Sequence, residues 1–392
     1  MTSKSTHKQT GWLLHAVYIL AIIASVTGLP AYGQQVHQLS YNNVGWADQN
    51  LNGATMDPFS ANVAAFLTTP NNQSHAYYIS AGSSPHVHQL FFNGTSWSDS
   101  DLTALSKGPA AFGPVSGFSV GNFQYVYYVS NTTPSHVHQL LYNNASWVDS
   151  DLTALSGGKP STIVQLVAFT TSPALHVYYR DVASSHIHQL FSNAGTTWQD
   201  TDLTSITDGT LATYLSAGIN NGNLQYVYFV DGVDHLHQLY YNNLNWSDTD
   251  LTQLTNTPPL ETGYVAAFAI AKTKKIRVYL TNANNGHIMQ FSSNNSGVKW
   301  TSVDLTKRTK APLPDGASAL LAFVTTPNND AHVYYVAGSQ VNEIYQPTAT
   351  SWKNQNLSAA GEGALVDQFS GLAGFSLQND IGRPGVERPR VA

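Results

Sequence analysis

At 392 residues, with 42% hydrophobic and only 10% charged residues, the chain is long enough for two or three ordinary domains. A formal net charge of -6 excludes a nucleic-acid binder that works by neutralising phosphates. The chain has no cysteine, which excludes disulfides and thiolate metal sites, so packed apolar and aromatic surface has to hold the fold together.

The first 33 residues read as an export signal. Lys4, His7 and Lys8 precede an apolar stretch from Trp12 to Val26, and Leu29-Pro30-Ala31-Tyr32-Gly33 supplies small residues for cleavage, so a mature chain would begin near Gln34. The expected destination is secretion, the periplasm or the cell surface. The apolar stretch also sits at the short limit for an uncleaved membrane anchor.

Beyond that segment a single pattern repeats. Trp46, Trp97, Trp147, Trp198, Trp246, Trp300 and Trp352 recur at intervals of 48 to 54 residues. Upstream of each tryptophan lies a second marker. It reads Val36-His37-Gln38-Leu39 in the first copy, then His86-Val87-His88-Gln89-Leu90, His136-Val137-His138-Gln139-Leu140, His186-Ile187-His188-Gln189-Leu190 and His235-Leu236-His237-Gln238-Leu239. His287-Ile288-Met289-Gln290-Phe291 and Val341-Asn342-Glu343-Ile344 are divergent copies.

Each unit holds four short β-like runs separated by Gly, Pro, Asn and Ser, as in Val63–Phe66, Ala76–Ile79, Val87–Phe92 and the run from Trp97. Units of this length with four strands are the sequence signature of propeller blades. The expected fold is an all-β, seven-bladed β-propeller over residues 34–380, with four-stranded antiparallel blades. The chain starts with the last two strands of a unit and ends with a first strand, Leu372-Ala373-Gly374-Phe375, so the two ends should share one blade and close the ring. Past Phe375 the expected second strand is replaced by a basic, proline-rich tail over 381–392, a poor ladder member, which leaves the closing blade three-stranded or the chain end truncated.

Two motifs invite chemistry. Residues two apart share a strand face, so His86/His88, His136/His138, His186/His188 and His235/His237 either chelate a metal or serve as structural or sugar-contacting side chains. Each pair lies on its own blade, short of the three or four ligands a stable site needs, so no metal is assigned. Trp-x-Asp-x-Asp-Leu-Thr recurs at 97–103, 147–153, 198–204 and 246–252. Its alternate carboxylates resemble the start of a calcium loop but lack the Gly and the distant Glu, so bonding of Asp and Thr to backbone at the strand exit is the favoured reading.

Catalysis needs a singular constellation, such as two carboxylates about 5 to 10 Å apart for glycoside hydrolysis. Here the aspartates follow the repeat, and the glutamates Glu261, Glu343, Glu362 and Glu387 sit in different units. No nucleophile elbow, His-Glu-x-x-His or phosphate loop is present, and neither an enzyme nor a cofactor is expected. Repeated aromatic and amide positions suit sugar recognition instead, with rings against C–H faces and a few side chains fixing hydroxyls. The same rings also suit plain blade-to-blade core.

At the second and third strands the chain resembles the fucose-binding lectin propellers of fungi and bacteria. There an Arg-Val-Tyr strand is followed by Gly-x-Ile-x-Glu, and an aromatic completes an inter-blade pocket. The nearest copy here is Ile276-Arg277-Val278-Tyr279 with Gly286-His287-Ile288-Met289-Gln290, followed by Trp300. The resemblance implies that Arg277 donates to sugar hydroxyls, that Gln290 stands at the usual Glu position, and that Trp300 or an aromatic of the next blade stacks. At the other arginine positions stand His75, Tyr125, His176, Tyr226 and His332. The acidic position holds Gln38, Gln89, Gln139, Gln189 and Gln238, with Glu343 restored beside His332. Trp97, Trp147, Trp198, Trp246 and Trp352 complete the set of carbohydrate-binding candidates.

The expected function is a secreted, non-catalytic, multivalent carbohydrate-binding propeller for fucose or another neutral sugar, with glycans or glycoconjugates as partners. The alternatives are an interaction or adhesion scaffold and, third, a propeller glycoside hydrolase.

Overall fold

The structure, a computed structural model, describes residues 17–376 except for 24–34, 52–58, 362–371 and several turns of one to three residues. The tail at 381–392 and the ends of the export-signal segment lie outside the described residues.

Four-stranded antiparallel sheets account for every strand. Six of them are continuous in the chain and are named here blades I (59–101), II (111–151), III (163–202), IV (212–250), V (265–304) and VI (321–356). Inside each, consecutive strands pair as a meander, because short Gly-, Pro- and Asn-containing turns leave no room for crossovers. The first strand of each blade touches the first strand of the next, and Leu372–Ser376 touches both Leu321–Thr325 and Phe59–Thr68. These inner strands thus run around a closed ring.

The expectation of seven alike units holds for six continuous blades and changes at the closure. The remaining sheet is composite, in the order Leu372–Ser376, Val17–Ile23, Gln35–Tyr41, Trp46–Asn50. The two chain ends do share a sheet, but its second strand comes from neither the proline-rich tail nor a gap. It is the apolar core of the segment read as an export signal, with Leu20 opposite Gln38 on one side and Ala373 on the other. The apolar, β-branched run that suits a signal core suits a β-strand equally.

Both faces of each blade are covered by neighbours, so the second strands carry near-continuous apolar runs instead of alternation. Tyr77, Tyr78, Tyr127, Tyr128, Tyr178 and Tyr179 are among the largest fully buried side chains. Burying a tyrosine is favourable only where its hydroxyl keeps a partner, and these hydroxyls meet amides or carboxylates. Among the described residues no helix is long and apolar enough to cross a membrane.

The Asp-Leu-Thr exits do more than turn. Each starts a helix of four or five residues, such as Leu102–Ser106, Leu152–Ser156 and Leu203–Thr207, in a chain expected to be wholly β. Asp101, Asp151 and Asp202 are the N-caps, accepting from the backbone three residues on. Thr103 and Thr153 accept from the backbone N–H of Val87 and Val137.

Candidate functional site

Strand parity positions the repeated polar residues. In blade V, Arg277 pairs with Ser292 and Tyr279 with Gln290, so Arg277, Tyr279 and Gln290 project from one face. Trp300 pairs with Ser293, which pairs with Ile276, and projects from the opposite face. The expected grouping of Arg277 and Gln290 with Trp300 is therefore split. Trp300 meets Tyr228 of blade IV edge-on with centroids 6.4 Å apart, while Trp352 of blade VI meets Tyr279 at 6.3 Å.

The same shift applies around the ring. Trp147 meets Tyr77 at 6.4 Å, Trp246 meets Tyr178 at 6.1 Å, and Trp198 joins the cluster around Tyr127. Trp97 packs with Val36 and Leu51 of the closing side. Each junction is thus built from the second and third strands of one blade and the tryptophan of the next.

At the junction of blades V and VI, Arg277 is half-buried and has no hydrogen-bond or ion-pair partner among the described residues. Gln290 is buried and donates through Nε2 to the Tyr279 hydroxyl at 3.2 Å. Burial raises the pKa of Tyr279, against the opposing pull of Arg277 and of the Gln290 bond, so the phenol stays neutral beside the cation. Phe268 lies opposite Arg277 on the same face, and Ala331 and the nearly buried Trp352 come from blade VI. A charged five-donor group, an amide, a phenol and two rings thus stand at one inter-blade junction, where Arg277 is the half-exposed member.

The other junctions carry the expected residues but engage them internally. Between blades I and II, Gln89 Nε2 lies 3.0 Å from His75 Nδ1, 3.0 Å from the Tyr77 hydroxyl and 2.7 Å from Gln124 Oε1. Tyr77 also donates to Gln124. Between III and IV, Gln189 repeats this with His176 at 3.0 Å, Tyr178 at 2.9 Å and Gln225 at 2.9 Å. Burial lowers the pKa of both His75 and His176 to about 4, so both are neutral at physiological pH.

Between IV and V a hairpin intervenes. Tyr226 donates to the Ser296 carbonyl at 3.0 Å and Gln238 to the Gly297 carbonyl at 3.5 Å. Gly297 has φ +81°, and a Cβ there would stand 2.9 Å from the Tyr226 ring. Only glycine lets the hairpin lie this close. Between II and III, Tyr125 stacks on Phe118 at 5.4 Å, and Gln139 donates to Tyr127 at 3.0 Å. His332 and Glu343 do come together, at 2.6 Å, but the second carboxylate oxygen accepts from Gln355.

The histidine pairs are accounted for by carboxylates. His86, His136, His186, His235 and His287 lie 2.7, 2.7, 2.7, 2.7 and 2.6 Å from Asp101, Asp151, Asp202, Asp250 and Asp304. His88 and His138 reach Asp99 and Asp149 at 3.1 and 3.0 Å. The Trp-x-Asp-x-Asp motif and the His-x-His motif are the two halves of one cross-strand ladder. Among the described residues no group of three His, Cys, Asp or Glu stands where it could hold a metal.

No family model and no curated protein matches the sequence. Solved propellers match its fold. The BP39L lectin of Burkholderia pseudomallei is 13% identical with a TM-score of 0.59, over 81% of this chain and 93% of that one. AofleA of Arthrobotrys oligospora is 14% identical with a TM-score of 0.51, over 81% and 89%. A putative 6-phosphogluconolactonase of Bacteroides uniformis is 11% identical with a TM-score of 0.57, over 92% and 99%. Lectins and a named enzyme thus share the architecture, and function has to be argued from the site.

Proposed function

We propose that this chain is an exported, non-catalytic, lectin-like propeller, a ring of seven sheets that binds a neutral sugar where blades V and VI meet. The observation that carries the reading is Arg277, a guanidinium without a hydrogen-bond or ion-pair partner among the described residues, on the same strand face as Gln290 and Tyr279, with Trp352 against Tyr279. Such a group presents fixed donors to adjacent hydroxyls while the rings cover apolar C–H faces. The lectins among the fold's matches lend support.

Fucose is the sugar that the resemblance at Arg277 favours. The test is a glycan array followed by calorimetry with methyl α-L-fucoside. Binding lost in Arg277→Ala supports the reading, and silence across neutral sugars overturns it.

An interaction scaffold is a second reading, favoured by one observation. Leu105, Leu155, Ile206 and Leu254 occupy matching helix positions on four successive blades and are 62%, 60%, 57% and 53% exposed. They present a repeated apolar spot on one face of the ring.

A further inference from the structure

We infer that one side chain per junction, on the second strand of the following blade, decides whether that junction can take a ligand, and that Gln124 and Gln225 hold two junctions shut. The inference rests on the carbohydrate reading for its ligand and on the hydrogen-bond geometry for its mechanism. The position is defined by register. It holds the residue directly before the arginine-equivalent one, and around the ring it carries Ser74, Gln124, Leu175, Gln225, Ile276 and Ala331.

Where the position is glutamine, its amide oxygen does what a sugar hydroxyl would do. Gln124 Oε1 accepts from Gln89 at 2.7 Å and from Tyr77, and Gln225 Oε1 accepts from Gln189 at 2.9 Å and from Tyr178. Those are the donors that an inter-blade sugar would need. His75 and His176 complete each network, with Nδ1 facing the glutamine amide and Nε2 facing Thr68 or Thr171 at 3.3 or 2.7 Å. His75, Gln89 and Gln124 are buried, as is Gln290 at 4% exposed, so the hydrogen bonds made by the glutamine oxygen, not exposure, distinguish the junctions. A ligand entering the network would have to replace satisfied buried bonds, which gives no net gain.

Where the position is Ala331, nothing replaces that oxygen. Among the described residues the Gln290 amide donates only to Tyr279, and Arg277 has no hydrogen-bond partner and can meet a ligand. Histidine with a glutamine plug therefore occurs together at junctions I/II and III/IV, and arginine with alanine at V/VI. The plug and the arginine-equivalent residue form one two-residue choice made across a junction, and the plug of each junction stands directly before the arginine-equivalent residue of the next.

The test exchanges plugs. In Gln124→Ala, histidine NMR titration reads solvent entry without any sugar. His75 faces Gln89, Tyr77, Thr68, Phe66 and Phe91, none of them charged. Its pKa is expected to climb from about 4 by a unit or more as water replaces the Gln124 oxygen. In the reverse exchange, Ala331→Gln, the unfolding midpoint is expected to rise in the wild-type background and not beside Gln290→Ala. Affinity for methyl α-L-fucoside should fall at least tenfold. Both sugar-free readouts unchanged would overturn the inference. Both shifted in a protein that binds no methyl α-L-fucoside would uphold the plug and overturn the fucose reading alone.

Discussion

Asp101 serves His86 and a helix at once. Its Oδ2 lies 2.7 Å from His86 Nδ1, and its Oδ1 accepts from Ala104 N at 2.8 Å. The carboxylate therefore ties the start of the third strand to the exit of the fourth and begins the helix that leads to blade II. Asp101→Ala is expected to cost about 1 to 2 kcal/mol, the usual value of a capping side chain. Asp101→Asn, which keeps an acceptor for the cap, should cost less. Chemical denaturation of the two variants checks the ranking, and equal losses would show that the His86 bond outweighs the cap.

Acid should loosen the ring through His75 and His176. Their pKa values fall from 6.5 to about 4 on folding because burial penalises the charged form. The unfolded chain therefore binds protons that the folded chain refuses, so stability drops as pH falls from about 6.5 to about 4. The loss is on the order of 3 kcal/mol per histidine. Other groups act outside this window. Burial opposes charge on His188 and His237, but their aspartate partners prevail and raise the pKa. Their contribution is complete below 6.5 and is lost as pH rises through the folded value. Burial of Asp101 and Asp202 is likewise outweighed by hydrogen bonds that lower the pKa, and their contribution is lost only below the ordinary carboxylate range. The variant His75→Tyr with His176→Tyr gives both junctions the side chain that Tyr125 supplies between blades II and III. It should lose less stability between pH 7 and pH 4.5 in urea unfolding.

Much of the architecture was legible because repetition multiplies weak signals. Seven tryptophans, paired histidines and Asp-Leu-Thr exits each mark a strand or its end, and local turn chemistry fixes the meander. The site was legible only by type. Arg277 and Gln290 stand on one face because their strands pair in register, whereas Trp300 lies across the sheet and Trp352 completes the junction. Parity across a hairpin depends on turn length, which sequence spacing leaves loose by a residue. The Gln124 plug is not legible in isolation, because in the sequence it is one more polar residue at a strand start. Its adjacency to the Tyr125 position, repeated at Gln225 and Tyr226, was the available signal.

Arg277 should be dispensable for folding and needed for binding. It makes no intramolecular polar bond among the described residues, so Arg277→Ala should shift the thermal midpoint by no more than a degree or two. Loss of a charged hydrogen-bond donor to a ligand is worth about 1.5 to 3 kcal/mol, or roughly ten- to a hundredfold in affinity. Arg277→Lys keeps the charge and loses the planar fork, and should recover little of that loss. Calorimetry with methyl α-L-fucoside reads both variants, and full recovery by lysine would point to simple charge attraction.

Ring closure and the proposed export make opposite demands on Val17–Ile23. In the closing sheet this strand pairs with Gln35–Tyr41 along its whole length and with Leu372–Ser376 over five residues. Cleavage near Gln34 would remove it and leave two strands facing an empty position, with unpaired N–H and C=O groups on both. A chain lacking residues 1–33 is therefore expected to melt several degrees lower than the full chain. It should also associate in a concentration-dependent way, because exposed strand edges recruit other strands. Differential scanning calorimetry and sedimentation velocity on the two chains test this. A monomer with an unchanged midpoint would show that the strand contributes nothing to closure. Addition of a synthetic Val17–Ile23 peptide should restore the midpoint if the empty position is the cause, since a ligand that binds only the folded ring stabilises it by mass action.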